Sequence, residues 1–217
     1  MSNNHAKLPL EKSRPGRGRP RDVSKSKAIL RAASDLFLEK GFDGTSMDGV
    51  ARRAGVSKQT VYSHFDSKEQ LFSDAVHAAI ASYFPDRTLA ALETHTLEAD
   101  LRAICHTLAS LWVDERAIAM FRLLVAAGAK GSALGDLFWR SGPAELHEQL
   151  VRFLEQWVSR GALEIDDSEK AAQQLVAFVK EPAHFRISIG IQAPLKEKEL
   201  EAVVDGAVAD FLKLYGT

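Results

Sequence analysis

Lys58, Gln59, Thr60 and Tyr62 place four side chains with hydrogen-bonding heads within five residues. Their types suit the edges of base pairs. Lysine can donate to guanine, glutamine can pair with adenine, and threonine offers both a hydroxyl and a methyl. His64 and Lys68 follow where a polar or cationic head could meet a backbone phosphate. Thr45 and Ser57 stand at expected helix starts, where backbone amides can face an anion as well. Taken singly, each of these residues is equally at home on the solvated face of a helical bundle. Their conjunction carries the reading.

Such a surface must be held by short helices packed on one another, and the pattern around it supplies them. Ile29, Ala33, Leu36 and Phe37 make one apolar face of a helix over about 24–40, with Gly41 placed to end it. Thr45-Ser46-Met47-Asp48 fits a capping box, with Thr45 as the cap. Met47, Val50, Ala51 and Ala54 then form a short stripe, which Gly55 interrupts. Ser57 can cap a third short helix in which Val61 and Phe65 point the same way. The second and third helices are too short to be stable alone, so they must pack on the first. The Ala54-Gly55-Val56 link permits the sharp turn of a helix-turn-helix. That geometry leaves the outer side of the third helix free to enter a major groove of double-stranded DNA.

Charge agrees. Residues 1–68 carry 14 Lys+Arg against 7 Asp+Glu, whereas residues 69–217 carry 14 against 22. A basic end on an acidic body is what a polyanion-binding module joined to something else looks like. Arg17, Arg19 and Arg21 belong to a Pro- and Gly-rich arm over 1–23 that cannot bury a core.

Residues 41–71 resemble the DNA-binding domain of the tetracycline-repressor (TetR) family closely. The run Ala54-Gly55-Val56-Ser57, the run Tyr62-Ser63-His64-Phe65 and the following Lys68-Glu69-Gln70-Leu71 carry the resemblance. Gly49-Val50-Ala51 departs slightly, since the family more often has a non-glycine residue and isoleucine before the alanine. The arm around Gly18-Arg19-Pro20 is similar to the core of an AT-hook, which would lie in a minor groove. A nonspecific electrostatic tether is the equal alternative.

The remainder, 71–217, reads as further helices, so the fold class is all-α. A helix from Ser67 to Phe84, stopped by Pro85, would join the two parts. The resemblance implies that this C-terminal part binds a small-molecule effector and forms a homodimer. It also implies a repressor that the effector releases from its operator, and the efflux-regulator branch is suspected. Candidates to line a pocket are Trp112, Phe121, Phe138, Trp139, Phe178 and Phe185, with His106, Arg122 or His184 as polar anchors. Any one of these aromatics is more often ordinary core. The final helix, about 197–215, has a wide apolar stripe that includes Leu200, Val204, Val208 and Phe211. The resemblance implies a four-helix interface built from it and the helix after Ser168.

Other classes are weakly represented. There is no metal-binding spacing, phosphate-binding glycine loop or nucleophile elbow, so neither enzyme nor cofactor is expected. The lone Cys105 cannot form an internal disulfide and reads as a buried core thiol, with redox sensing as the alternative. No secretory signal and no span of about 18 apolar residues is seen, which gives the expectation of a cytoplasmic protein without membrane contact. Two further readings stay open: an architectural DNA-binding protein without effector, and an enzyme tethered to DNA.

Overall fold

The computed structural model describes residues 23–84 and 96–217. The arm over 1–22 lies outside the described residues, as does Pro85. Among the described residues the chain forms eleven helices: α1 (Val23–Gly44), α2 (Met47–Ala54), α3 (Lys58–His64), α4 (Lys68–Tyr83), α5 (Leu97–Val113), α6 (Glu115–Gly128), α7 (Leu134–Arg140), α8 (Pro143–Ser159), α9 (Ser168–Lys180), α10 (Ala183–Ser188) and α11 (Glu197–Tyr215). An antiparallel bridge, Leu163 to Gly216, ties the end of α11 to the α8–α9 turn.

Two apolar interiors organise these helices. The N-terminal one gathers Ile29, Leu36 and Phe37 of α1, Val50 of α2, Val61 of α3, and Leu71 and Phe72 of α4. Phe37 and Phe72 meet edge to face, with ring centroids 5.2 Å apart. Each fully buried leucine or phenylalanine contributes roughly 1.5–3 kcal/mol, and this shared burial is what holds helices of eight and seven residues. Gly55 links them. Its φ of 67° and ψ of 30° are left-handed, and its amide closes α2 onto the Ala51 and Arg52 carbonyls.

The second interior lies among α5, α8, α9 and α11, around Leu101, Ile104, Leu108, Leu154, Leu175, Val204 and Phe211. Cys105 is among them and fully buried. Burial pushes its thiol up to about 12, so it is protonated and unreactive at neutral pH, and redox sensing is not supported.

The two interiors are not independent. Leu134 of α7 is buried in the N-terminal cluster, and Met120, Leu123 and Leu124 of α6 pack against it. Pro182 separates α9 from α10.

Candidate functional site

α3 is sharply two-faced. Val61, His64 and Phe65 turn inward at i, i+3 and i+4, while Lys58, Gln59, Tyr62 and Ser63 face out. Tyr62 is 45% exposed. Ser57 caps the helix, its Oγ accepting from the Thr60 amide at 3.1 Å, and its hydroxyl pairs with that of Thr60 at 2.8 Å. Lys58 Nζ meets Asp48 Oδ1 of α2 at 2.9 Å and lies 5.9 Å from the Tyr62 ring centre. Asp48 raises the lysine's affinity for its proton by hydrogen bond and charge. The outer face of α3 therefore offers a cation, an amide, a hydroxyl and a phenol on a helix that is rigid because its other face is core.

Three expected anchors are placed differently. Thr45 is 3% exposed. Its Oγ1 has the Leu36 carbonyl at 3.0 Å and the Gly41 carbonyl at 2.8 Å as acceptors, and its amide donates to Phe42 O. It locks the α1–α2 connection. The cap of α2 is Ser46, whose Oγ accepts from Gly49 N at 3.1 Å. The capping box read one residue earlier is thus corrected, and Asp48 is free to take Lys58. His64 is 7% exposed, packed beside Phe65, and its imidazole belongs to the interior. Lys68 donates from Nζ to Phe42 O at 2.8 Å and sits 4.4 Å from the Phe42 ring centre, which holds its half-buried ammonium against Phe42. Arg17, Arg19 and Arg21 lie outside the described residues.

The pocket candidates separate. Trp112, Phe121 and His184 come together, His184 meeting the two rings edge to face at 5.1 and 4.8 Å. His184 Nδ1 lies 2.9 Å from the Trp112 carbonyl, and Lys180 Nζ lies 4.9 Å from the Trp112 ring and 5.8 Å from Phe121. Burial, and secondarily the Lys180 charge, hold the His184 imidazole below its usual range. It is therefore neutral at pH 7, and its Nδ1–H donates to that carbonyl. Trp112 Nε1 is buried with no hydrogen-bond partner among the described residues. Arg122 donates from Nε and Nη2 to the Ser188 and Ile187 carbonyls, both at 2.7 Å, which clamps the end of α10 to α6.

The other five stand elsewhere. Phe138 packs on the N-terminal interior. Trp139 and Phe185 are 53% and 57% exposed. His106 faces Glu197 and Glu201 on the surface. Phe178 lines a groove of about 350 Å³ between α9 and α11 with Ala202, Val203, Gly206 and Asp210. Leu200, Val204, Val208 and Phe211 are 7%, 0%, 5% and 0% exposed within a single chain. Side chains already withdrawn from water have almost no surface left to bury on a partner. They are core, and the expectation that they face a second subunit is corrected.

One arrangement has no trace in the sequence. Asp114 caps α6, accepting from the Arg116 and Ala117 amides at 2.8 and 3.1 Å. Burial, then the hydrogen bond to Asp114, pushes Tyr83 at the end of α4 up to about 12. Arg116 reaches across to α1, donating to Asp35 Oδ1 at 2.7 Å and Ser34 Oγ at 3.0 Å. The Ser73 and Ser141 hydroxyls add a second bridge at 2.5 Å. Partners some 80 positions apart cannot be read from spacing.

A helix-turn-helix with an outward-facing polar third helix, joined rigidly to a larger helical body, defines a DNA-binding transcriptional regulator. Residues 29–75 match the model of bacterial regulatory proteins of the tetR family, and residues 99–217 match that of the AefR-like transcriptional repressor C-terminal domain. The chain belongs to the tetR family. A solved regulator of this family from Mesorhizobium loti is 28% identical, with a TM-score of 0.76 over 90% of this chain and 98% of that one. The flavonoid-responsive regulator FrrA is 32% identical, with a TM-score of 0.70 over 90% and 98%. Among curated proteins, the uncharacterized HTH-type transcriptional regulator YdeS of Bacillus subtilis is 46% identical over 69 residues, which is 32% of this chain and 35% of that protein. The chain thus spans about a third of the length of the curated relatives it matches. These relatives are transcriptional regulators, and no described helix is long and apolar enough to cross a membrane.

Proposed function

We propose that the protein is a homodimeric repressor that binds a two-half-site operator in double-stranded DNA and leaves it when a small hydrophobic effector binds. The observation that carries this is the face of α3, where Lys58, Gln59 and Tyr62 project from a helix fixed by Val61 and Phe65. Lys58 and Gln59 meet base edges, Thr60 adds its methyl, and Ser57 and Tyr62 meet backbone phosphate. The arginines of the arm add an electrostatic contact. The second subunit covers the α9–α11 groove around Phe178 and Val203, since these side chains retain exposed surface.

The effector enters at Trp112, Phe121 and His184. Two aromatic walls, a nearby cation and an unpaired indole N–H suit an aromatic ligand with an acceptor oxygen. The name of the 32%-identical FrrA points the same way. Release follows only if the ligand prefers a conformation in which the two α3 helices no longer match two half-sites. α6 is the carrier, since it holds α10 through Arg122 and α1 through Arg116.

Fluorescence anisotropy on DNA from upstream of the protein's own gene tests the reading. Tyr62→Ala weakens binding by about tenfold, within the range of a single lost contact, and leaves the thermal transition in place. Equal affinity for that DNA and for random DNA would defeat the operator reading and favour an architectural protein.

A further inference from the structure

We propose that His106, Glu197 and Glu201 form a binding site for a divalent transition-metal ion of the zinc class, spanning α5 and α11. The three ligand atoms lie within 4.8 Å of one another. His106 Nε2 is 3.4 Å from Glu201 Oε1 and 3.8 Å from Glu197 Oε1. Two ligand atoms each about 2.05 Å from a shared tetrahedral zinc lie roughly 3.3 Å apart. The His106–Glu201 spacing already fits, and the two that involve Glu197, both within 4.8 Å, close by rotation of its side chain, which is 80% exposed. For contrast, His147 Nε2 meets Glu169 Oε2 at 2.6 Å, the length of a closed hydrogen bond. His106 stands off from both carboxylates by about the radius needed for an ion between them.

The backbone presents these groups without cost to the fold. Glu197 and Glu201 are one turn apart on α11, and His106 faces them from α5. Leu101, Ile104, Leu108, Leu200 and Val204 beneath them pack the two helices against each other in the second interior. Arg102, one turn before His106, binds the far oxygen of Glu201 and the carboxylate of Asp205. A carboxylate held by its second oxygen is an oriented ligand.

Charge points the same way. Glu197, Glu201 and Asp205 against Arg102 leave two negative charges, which a divalent cation cancels. An imidazole in the set selects zinc, nickel, cobalt or copper over magnesium and calcium. The remaining coordination positions face solvent and take water. Once bound, the ion ties the start of α11 to α5.

The test uses the full-length, tag-free protein titrated with zinc chloride in a calorimeter, with cobalt(II) absorption as a second readout. The expected result is one ion per chain and a rise in Tm with zinc. His106→Ala weakens binding at least tenfold and abolishes the rise in Tm. Glu197→Gln weakens it as well, and its side chain is too exposed for the change to unfold the chain. No stoichiometric binding by the unaltered protein, or undiminished binding by both variants, overturns the site.

Discussion

Thr45→Val tests whether the Thr45 hydroxyl serves the fold or the DNA. The substitution keeps the shape and removes one hydroxyl. In the structure that hydroxyl is buried and faces two carbonyl oxygens, those of Leu36 and Gly41, at 3.0 and 2.8 Å. It has one proton, so one hydrogen bond is lost outright, and two acceptors are left against an apolar methyl. A lost buried hydrogen bond with an unsatisfied acceptor costs about 1–3 kcal/mol. The Gly41 carbonyl lies at a half-exposed turn where water can replace the hydroxyl, which favours the lower half, about 1–2 kcal/mol. For a chain of this length that is a fall in Tm of roughly 2–8 °C. The assay is thermal unfolding by circular dichroism at fixed protein concentration, with operator affinity measured well below the transition. Affinity is expected to change less than threefold, because the valine still fills the α1–α2 connection. Thr45→Ser keeps the hydrogen bond and separates the hydroxyl from the lost methyl. An unchanged Tm with a tenfold loss of operator affinity would refute the reasoning and return Thr45 to the phosphate.

Asp48→Asn frees Lys58 from its surface ion pair and removes a negative charge beside the reading face. Operator affinity rises about twofold to fivefold, the scale of an exposed pair, and the gain shrinks in a Lys58→Ala background to the part due to the removed negative charge alone, when both are measured by anisotropy. His184 favours its neutral form in the folded state more than in the unfolded state. Its contribution is therefore complete above about pH 6.5 and is lost as pH falls from there through its lower folded-state pKa. Unfolding midpoints measured from pH 8 to 5 decline on the acid side, and His184→Asn flattens that decline. Cys105 reacts with a thiol reagent only on the timescale of unfolding, as its burial and raised pKa require. Rapid modification of the native protein would show an open path to it.

Arg116 is a candidate coupling residue for the same physical reason that it escapes the sequence. Its pair with Asp35 is half exposed, so by itself it adds little stability. Its value lies in position, since the backbone that carries it also carries the Asp114 cap and the Phe121 ring.

The sequence by itself determined which segments of the N-terminal part are helical and which face of α3 stays exposed. Apolar residues at helical spacing marked the cores of α1 to α3 because the 3.6-residue repeat is written into each helix alone. Gly55, Ser57 and Ser67 marked helix ends through local capping chemistry. Lys58, Gln59 and Tyr62 were legible as exposed because their own helix needs its opposite face for burial. The errors arose where the same residue type can serve two neighbours. Thr45 and Ser46 compete for one cap, and only the packing of α1 on α2 decides that Thr45 goes inside. His64 and Lys68 are polar heads that the local pattern assigns to solvent, yet the interior around Phe65 and the Phe42 carbonyl claim them. The stripe on α11 showed that the helix is apolar on more than one side, but not which side meets α5 and α9 of its own chain. That choice, the meeting of Trp112, Phe121 and His184, and the reach of Arg116 to Asp35 depend on contacts between distant segments. Only the tertiary structure decides those, because the free energy of such contacts belongs to the pair and not to either segment.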